Sequence, residues 1–317
     1  MTRYRVRHRT TYRYTGPVDL GQHQVFLRPR DTPGQTTHRF DLRIDPAPEA
    51  IDAHTDDFGN HGARFTLDRP HQALIVDAHS EVSVHPAPTP MLSVSPAWED
   101  VAEYARRDRS PDGLTALAMA FDSRLTARRP ALAEYARQSF TERRPVLEAA
   151  DELNRRIFAE FAYDPTATTV STPVDRVFAQ RRGVCQDFAH VMIAMLRSLG
   201  LPARYVSGYL RSAAPTAESD PQATLPDTPA NPNDALVGAD ASHAWVSLRA
   251  AALGADLGWV DFDPTNNRIP GDTHVTVAWG RDYADVAPVK GVIVGGGAHH
   301  LDVAVRVEPA GIMNDGY

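Results

Sequence analysis

Residues 185–199 carry the pattern that most narrows what this chain can fold into. Phe188, Val191, Met192, Met195, Leu196 and Leu199 recur at spacings of three and four, the stripe of an amphipathic helix with one face in a core. Gly200 and Pro202 mark its end. Cys185, the only cysteine in 317 residues, stands in the first turn of that helix, after the loop Arg182-Gly183-Val184. A thiol there faces unpaired backbone N–H groups and the positive end of the helix dipole, and both favour the nucleophilic thiolate. A free cysteine also serves as a small apolar core residue. Position alone does not separate the two readings.

Two later segments supply what a cysteine nucleophile needs. Ser242–Leu248 reads as a half-buried strand with His243, Trp245 and Ser247 on one face and Ala244, Val246 and Leu248 on the other. Gly258–Thr265 repeats the pattern, with Trp259, Asp261 and Asp263 sharing a face. Short strands so close in sequence are natural antiparallel neighbours, which sets an imidazole beside a carboxylate in one sheet. A histidine takes the thiol's proton, and a carboxylate holds the ring in the required tautomer. Asp261 and Asp263 are rivals for that last role.

Gly183–His190, Ser242–Trp245 and Phe262–Asn267 together resemble the three motifs of the bacterial transglutaminase-like family, within the papain-like cysteine-enzyme superfamily. The resemblance implies Cys185 as nucleophile, His243 as base and Asp263 as orienting acid. It extends to the β-rich domain that precedes the core in this subgroup, through Tyr12-Arg13-Tyr14, Arg28-Pro29-Arg30, Asp57–Asn60 and Pro70-His71, and to Gly280–Val286 near the other end. It implies acyl transfer on a peptide, protein or carboxamide through a thioester, without metal or organic cofactor. Water as acceptor makes a peptidase or amidase, and an amine makes a transglutaminase. The alternative is a module that keeps the fold and binds peptide or protein without turning it over.

A net charge of −7 argues against nucleic acid or an anionic membrane as the main partner. No apolar run reaches the ~18 residues of a membrane span, and the basic N-terminus lacks an apolar segment after it, so no secretory signal is read there. One cysteine forms no internal disulfide, and a cytoplasmic location is the simplest expectation.

The expected fold class is α+β. Residues 1–85 read as an antiparallel β-sandwich of scaffolding or docking role, with strands at Arg3–Tyr14, His38–Ile44, Ala63–Leu67 and Ala73–Val84. Residues 86–97 form a proline-rich linker. Residues 98–317 form a papain-like core, helical from Trp98 to Ala162 and then carrying the cysteine helix against an antiparallel sheet. Within it, residues 213–239 hold five prolines and four acids with no Lys, Arg or aromatic residue. Such a segment builds no core of its own and reads either as a lid or as a passive excursion.

Other residues near the motifs have simpler readings. Asp187, in the first turn of the cysteine helix, is expected to cap it. Gln186 is a candidate oxyanion donor, although the backbone N–H of Cys185 is better placed for that task. Trp245 and Trp259 are candidates for walling a substrate groove. His299-His300 lacks the companions of a metal site and reads as a surface pair.

Overall fold

The computed structural model describes residues 1–85, 88, 90–212, 236–239 and 241–310. The lid-or-excursion reading of 213–239 therefore falls outside the described residues except for its last four positions.

The N-terminal strands are β1 (Thr2–Val25), β2 (Gln35–Asp45), β3 (Ile51–Thr55), β4 (His61–Leu67) and β5 (His71–Val84). Four helices follow: α1 (Trp98–Arg107), α2 (Pro111–Ala118), α3 (Pro130–Arg137) and α4 (Val146–Glu160). After the short β6 (Ala162–Tyr163), α5 (Val174–Gln180) and β7 (Arg182–Gly183) comes α6 (Cys185–Ser198). The remainder is β8 (Ala203–Leu210), β9 (His243–Ala252), β10 (Ala255–Phe262), β11 (His274–Gly280), α7 (Tyr283–Val286), β12 (Val289–Gly295) and β13 (His299–Pro309).

The N-terminal domain is one seven-stranded antiparallel sheet built along β1. The first half of β1 pairs β5 on one side and β13 on the other; its second half pairs β4 and β12. The register shifts between Arg13 and Val18, where the strand passes from one half to the other. Val18, Phe65, Leu67, Leu74, Val76 and Ala78 from both halves share one buried cluster. The strands at 289–309, assigned from sequence to the catalytic core, therefore complete the N-terminal sheet. Nothing local announces this, because Tyr4 pairs Pro309 and Tyr14 pairs His299 across almost the whole chain.

The core is an antiparallel sheet in the order β10-β9-β8-β11, with α6 packed on β9 and β8. The apolar stripe read from sequence lies in this core, but α6 is buried on its other sides too, where α3, α4 and α5 pack on it. A helix so enclosed must satisfy its polar side chains locally. Arg197 donates to the carbonyls of Met119, Ala203 and Arg281. Gly200, at φ +82°, ends the helix: its N–H reaches Arg197 O and the N–H of Leu201 reaches Leu196 O, a paired cap that needs a left-handed residue at this position.

The two domains share one core. Tyr4, Val6, Val82, Val84, Val305 and Val307 belong to the same buried cluster as α4, α6 and β8. The free edge of β11 is pegged by side-chain amides of the N-terminal domain. Gln35 donates to Thr276 O (2.7 Å) and accepts from Thr276 N (2.8 Å); Asn60 donates to Trp279 O (2.8 Å) and accepts from Trp279 N (2.9 Å). These bonds satisfy an edge that would otherwise present bare backbone.

Candidate active site

Cys185 begins α6, and its geometry follows from how that terminus is closed. The N-cap is Val184, whose side chain offers no acceptor, so the reciprocal contact carries the cap: Asp187 Oδ2 accepts from Val184 N at 2.8 Å and from Thr168 Oγ1 at 2.6 Å. Burial holds the Asp187 carboxyl above its ordinary range, against those two hydrogen bonds. Asp187 thus caps the helix. The N–H groups of Cys185 and Gln186 keep no acceptor among the described residues, as first-turn donors do unless a ligand or side chain meets them.

His243 opens β9 beside the thiol. Its Nε2 lies 2.9 Å from Asp263 Oδ2, and both side chains are fully buried. Its Nδ1 is buried without a hydrogen-bond partner among the described residues. Burial pulls the imidazole pKa down, but the charge of Asp263 and then the neighbouring Cys185 outweigh it and push His243 up to about 10. Asp263 moves the other way: burial favours its neutral form, and His243 and His274 override this and hold it well below the carboxylate range.

The Asp263 carboxylate accepts five hydrogen bonds. Thr265 N (2.9 Å) and Asn266 N (3.2 Å) reach Oδ1; His243, Asn266 Nδ2 (2.8 Å) and His274 Nε2 (3.2 Å) reach Oδ2. The tight turn after Pro264 supplies the two backbone donors, Thr265 N and Asn266 N. Asn266 also accepts from Val237 N at 2.9 Å, and Gly238 lies against Nδ1 of His243. The last described part of the acidic segment therefore rests on the imidazole.

Asp261, the rival acid, serves a different partner: its Oδ2 accepts from Trp245 Nε1 at 3.0 Å. Trp245 is 0% exposed, its ring lying across Gly208 and edge-on to His274 at 5.2 Å. The expectation that it contacts substrate is corrected, since an indole with no exposed surface packs and does not line a groove. Trp259 is partly exposed and covered by the Arg204 guanidinium, 4.3 Å from its ring. Gln186 donates its amide to Val170 O at 3.2 Å and has no hydrogen bond to Cys185, His243 or Asp263 among the described residues. His299-His300 lies at the exposed start of β13, where His299 packs near Tyr12 and Tyr14.

His243, Asp263 and His274 present nitrogen and oxygen atoms within 4.8 Å of one another, the one group among the described residues with the makings of a metal site. Both ring nitrogens stand at hydrogen-bond distance from the same carboxylate oxygen, an arrangement that needs a proton between each pair. A cation would have to displace both, so the group fits a hydrogen-bond network better than a metal centre.

Sequence reasoning missed His274 and gave Asn266 no role. Asn266 had a usable signal, since an Asx residue after Asp-Pro-Thr is poised to close a turn. His274 had none beyond opening a β-branched run.

Residues 4–83 match the bacterial transglutaminase-like N-terminal region, and residues 133–264 match the transglutaminase-like superfamily core. The chain is 37% identical over 311 residues to an uncharacterized protein of Mycobacterium tuberculosis, covering 97% of this chain and 93% of that one. It is 32% identical over 142 residues to a protein-glutamine gamma-glutamyltransferase of Pseudomonas aeruginosa, 44% of this chain and 18% of that one. A solved structure from Cytophaga hutchinsonii, provisionally named a cysteine protease, superposes with a TM-score of 0.70 at 21% identity, covering 100% of this chain and 92% of that one. That likeness speaks to the fold.

Proposed function

This chain belongs to the transglutaminase-like superfamily, and we propose that it is a cysteine-dependent acyl-transfer enzyme acting on peptide, protein or carboxamide substrates. The observation that carries the proposal is the order of groups at the head of α6. Cys185 stands beside an imidazole whose far nitrogen is held 2.9 Å from a buried carboxylate.

In this reading Cys185 Sγ attacks the substrate carbonyl carbon and forms the C–S bond, while the carbonyl oxygen takes the negative charge. The free backbone N–H of Cys185 meets that charge at the positive end of the helix. As the C–N bond breaks, the protonated Nδ1 of His243 gives its proton to the leaving amine, and the thioester remains. Nδ1 then takes a proton from the incoming water or amine, which attacks the thioester and releases the thiolate. Asp263 holds Nε2 throughout, so that Nδ1 is always the nitrogen offered to the reaction. The names of the Pseudomonas and Cytophaga proteins span the two acceptors, amine and water.

The test is mass spectrometry of the intact chain after exposure to mixed peptides and primary amines. An acyl adduct on Cys185, absent in Cys185→Ala, supports the proposal, and the ratio of hydrolysed to amine-linked product assigns the acceptor. A protein that captures peptides without any adduct or turnover is the binding module, and the enzyme reading falls.

A further inference from the structure

Asp263 can orient His243 only if the carboxylate is itself held, and its Oδ2 is the critical atom. We infer that His274 is a positioning residue for the reaction, fixing Asp263 Oδ2 so that the carboxylate keeps His243 aimed at Cys185. The inference rests on the acyl-transfer reading above. It concerns a residue beyond the matched superfamily core, which ends at position 264.

His274 opens β11 and is 4% exposed. Its Nε2 stands 3.2 Å from Asp263 Oδ2, and its Nδ1 stands 3.0 Å from Thr273 Oγ1. With the Thr273 hydroxyl donating to Nδ1, Nε2 carries a proton and donates it to Asp263. That bond steadies the oxygen that His243 also uses. His243 and His274 thus flank one oxygen, their ring centroids 6.3 Å apart.

The placement of His274 is itself supported. Trp245 meets its ring edge-on, and the edge of β11 is pegged by Gln35 and Asn60. The N-terminal domain therefore reaches the reacting groups through three steps: Gln35 and Asn60 hold β11, β11 carries His274, and His274 holds Asp263. Asn266 is the other side chain on Oδ2, but it also binds Val237, so it serves two partners.

The test uses alkylation of the single cysteine by iodoacetamide, which reports on Cys185 without knowledge of the natural substrate. His243→Ala and Asp263→Asn are the reference variants: if both react at the wild-type rate, the acyl-transfer reading fails and the present inference with it. If they are slow, His274 is judged separately. His274→Phe keeps the packing against Trp245 and removes the donor; outer partners of oriented histidines elsewhere carry effects of about 10- to 100-fold, and a loss in that range is expected here. His274→Gln, whose amide nitrogen reaches the place of Nε2, should recover most of the rate. Wild-type alkylation in His274→Phe, or equal loss in Phe and Gln variants, overturns the inference, because the residue would then be neutral or merely packed. Should the Phe variant not fold, Thr273→Val decides in the same way: it frees the tautomer of His274, so a several-fold loss supports the role and an unchanged rate refutes it.

Discussion

Asp261 and Asp263 leave one strand two residues apart and on the same face, yet Asp261 receives the indole N–H of Trp245 at 3.0 Å while Asp263 receives His243 at 2.9 Å. Period-2 geometry makes them equivalent in direction, and only their cross-strand neighbours distinguish them. Asp261 sits opposite Ser247, still within the paired part of β10. Asp263 lies just past the strand end, where the Thr265 and Asn266 turn wraps its other oxygen.

The two acids should therefore fail differently. Asp263→Asn is expected to lose about 10⁴-fold in kcat, the scale of a wrong tautomer in a comparable triad, and also to lose stability, because it leaves the buried His243 without the charge that holds it protonated. Asp261→Asn should keep most of the activity and lose about 1–3 kcal/mol of stability, because a buried indole N–H loses its charged acceptor. Kinetics paired with thermal melts separates the cases, and an inactive Asp261→Asn chain would reassign the orienting acid.

The pH dependence follows from His243. Its folded pKa is about 10, above the ordinary 6.5, so its stabilising contribution is full below pH 6.5 and lost as pH rises through about 10. Asp263 contributes above its ordinary 3.8 and loses that contribution only as pH falls through a much lower folded value. The stability gap between wild type and His243→Gln, measured by urea unfolding, should accordingly be wide at pH 6 and narrow above pH 10. A gap that does not change with pH would mean that the ring is neutral in the fold. Cys185→Ser, by weakening one upward influence, should move the inflection of the His243 ring resonance down.

Acid should act through other histidines. Burial holds His8 at about 4 against the pull of Asp77, and holds His190 at about 4 against Asp282. Both are neutral in the fold and bonded as such: His8 to Tyr209 and Thr10, His190 accepting from Tyr283 N. A depressed histidine supports the fold above its unfolded value of 6.5 and costs stability as pH falls toward 4. Each group should contribute a slope of about 1.4 kcal/mol per pH unit across that window. His8→Gln should flatten the decline between pH 6.5 and 4 by roughly one such slope, and an unaltered acid profile would show that His8 does not remain neutral.

How much of this was legible in the sequence depends on the range of the interaction concerned. The helix at 185–198, its Gly200 stop and the strands bearing His243 and Asp261 follow from local period and local breakers, and they lie where those signals place them. The closure of β12 and β13 onto β1 is decided by pairing across almost the whole chain, as with Tyr4 and Pro309, and no local pattern encodes the partner. The burial of Trp245 was hidden for a related reason. Alternation assigns it to a face, but only the arrival of β8 and β11 covers that face. His274 looks like any strand-opening histidine until the sheet order sets β11 at the outer edge beside β8 and Asp263 comes within reach of it.

Gly208 tests that long-range assembly directly. It pairs with His243 across β8 and β9, and the Trp245 ring occupies the space that a side chain there would fill. A Cβ at position 208 would stand 2.8 Å from Cζ3 of Trp245 and would also collide with the carbonyl oxygen of Val275. A carbonyl within a paired strand cannot turn aside, so the indole and β11 must both move. Forcing a methyl group into such packing costs about 1–3 kcal/mol, and Gly208→Ala is expected to lose at least that much by urea unfolding. The displacement should also reach His274 and His243, whose rings both neighbour the indole, and slow the alkylation of Cys185. Val76→Ala, in the separate buried cluster of the N-terminal sheet, is the control: it should lose comparable stability through its cavity and leave the alkylation rate near wild type. Equal rates in both variants would show that Trp245 does not brace the imidazoles, whatever the stability loss.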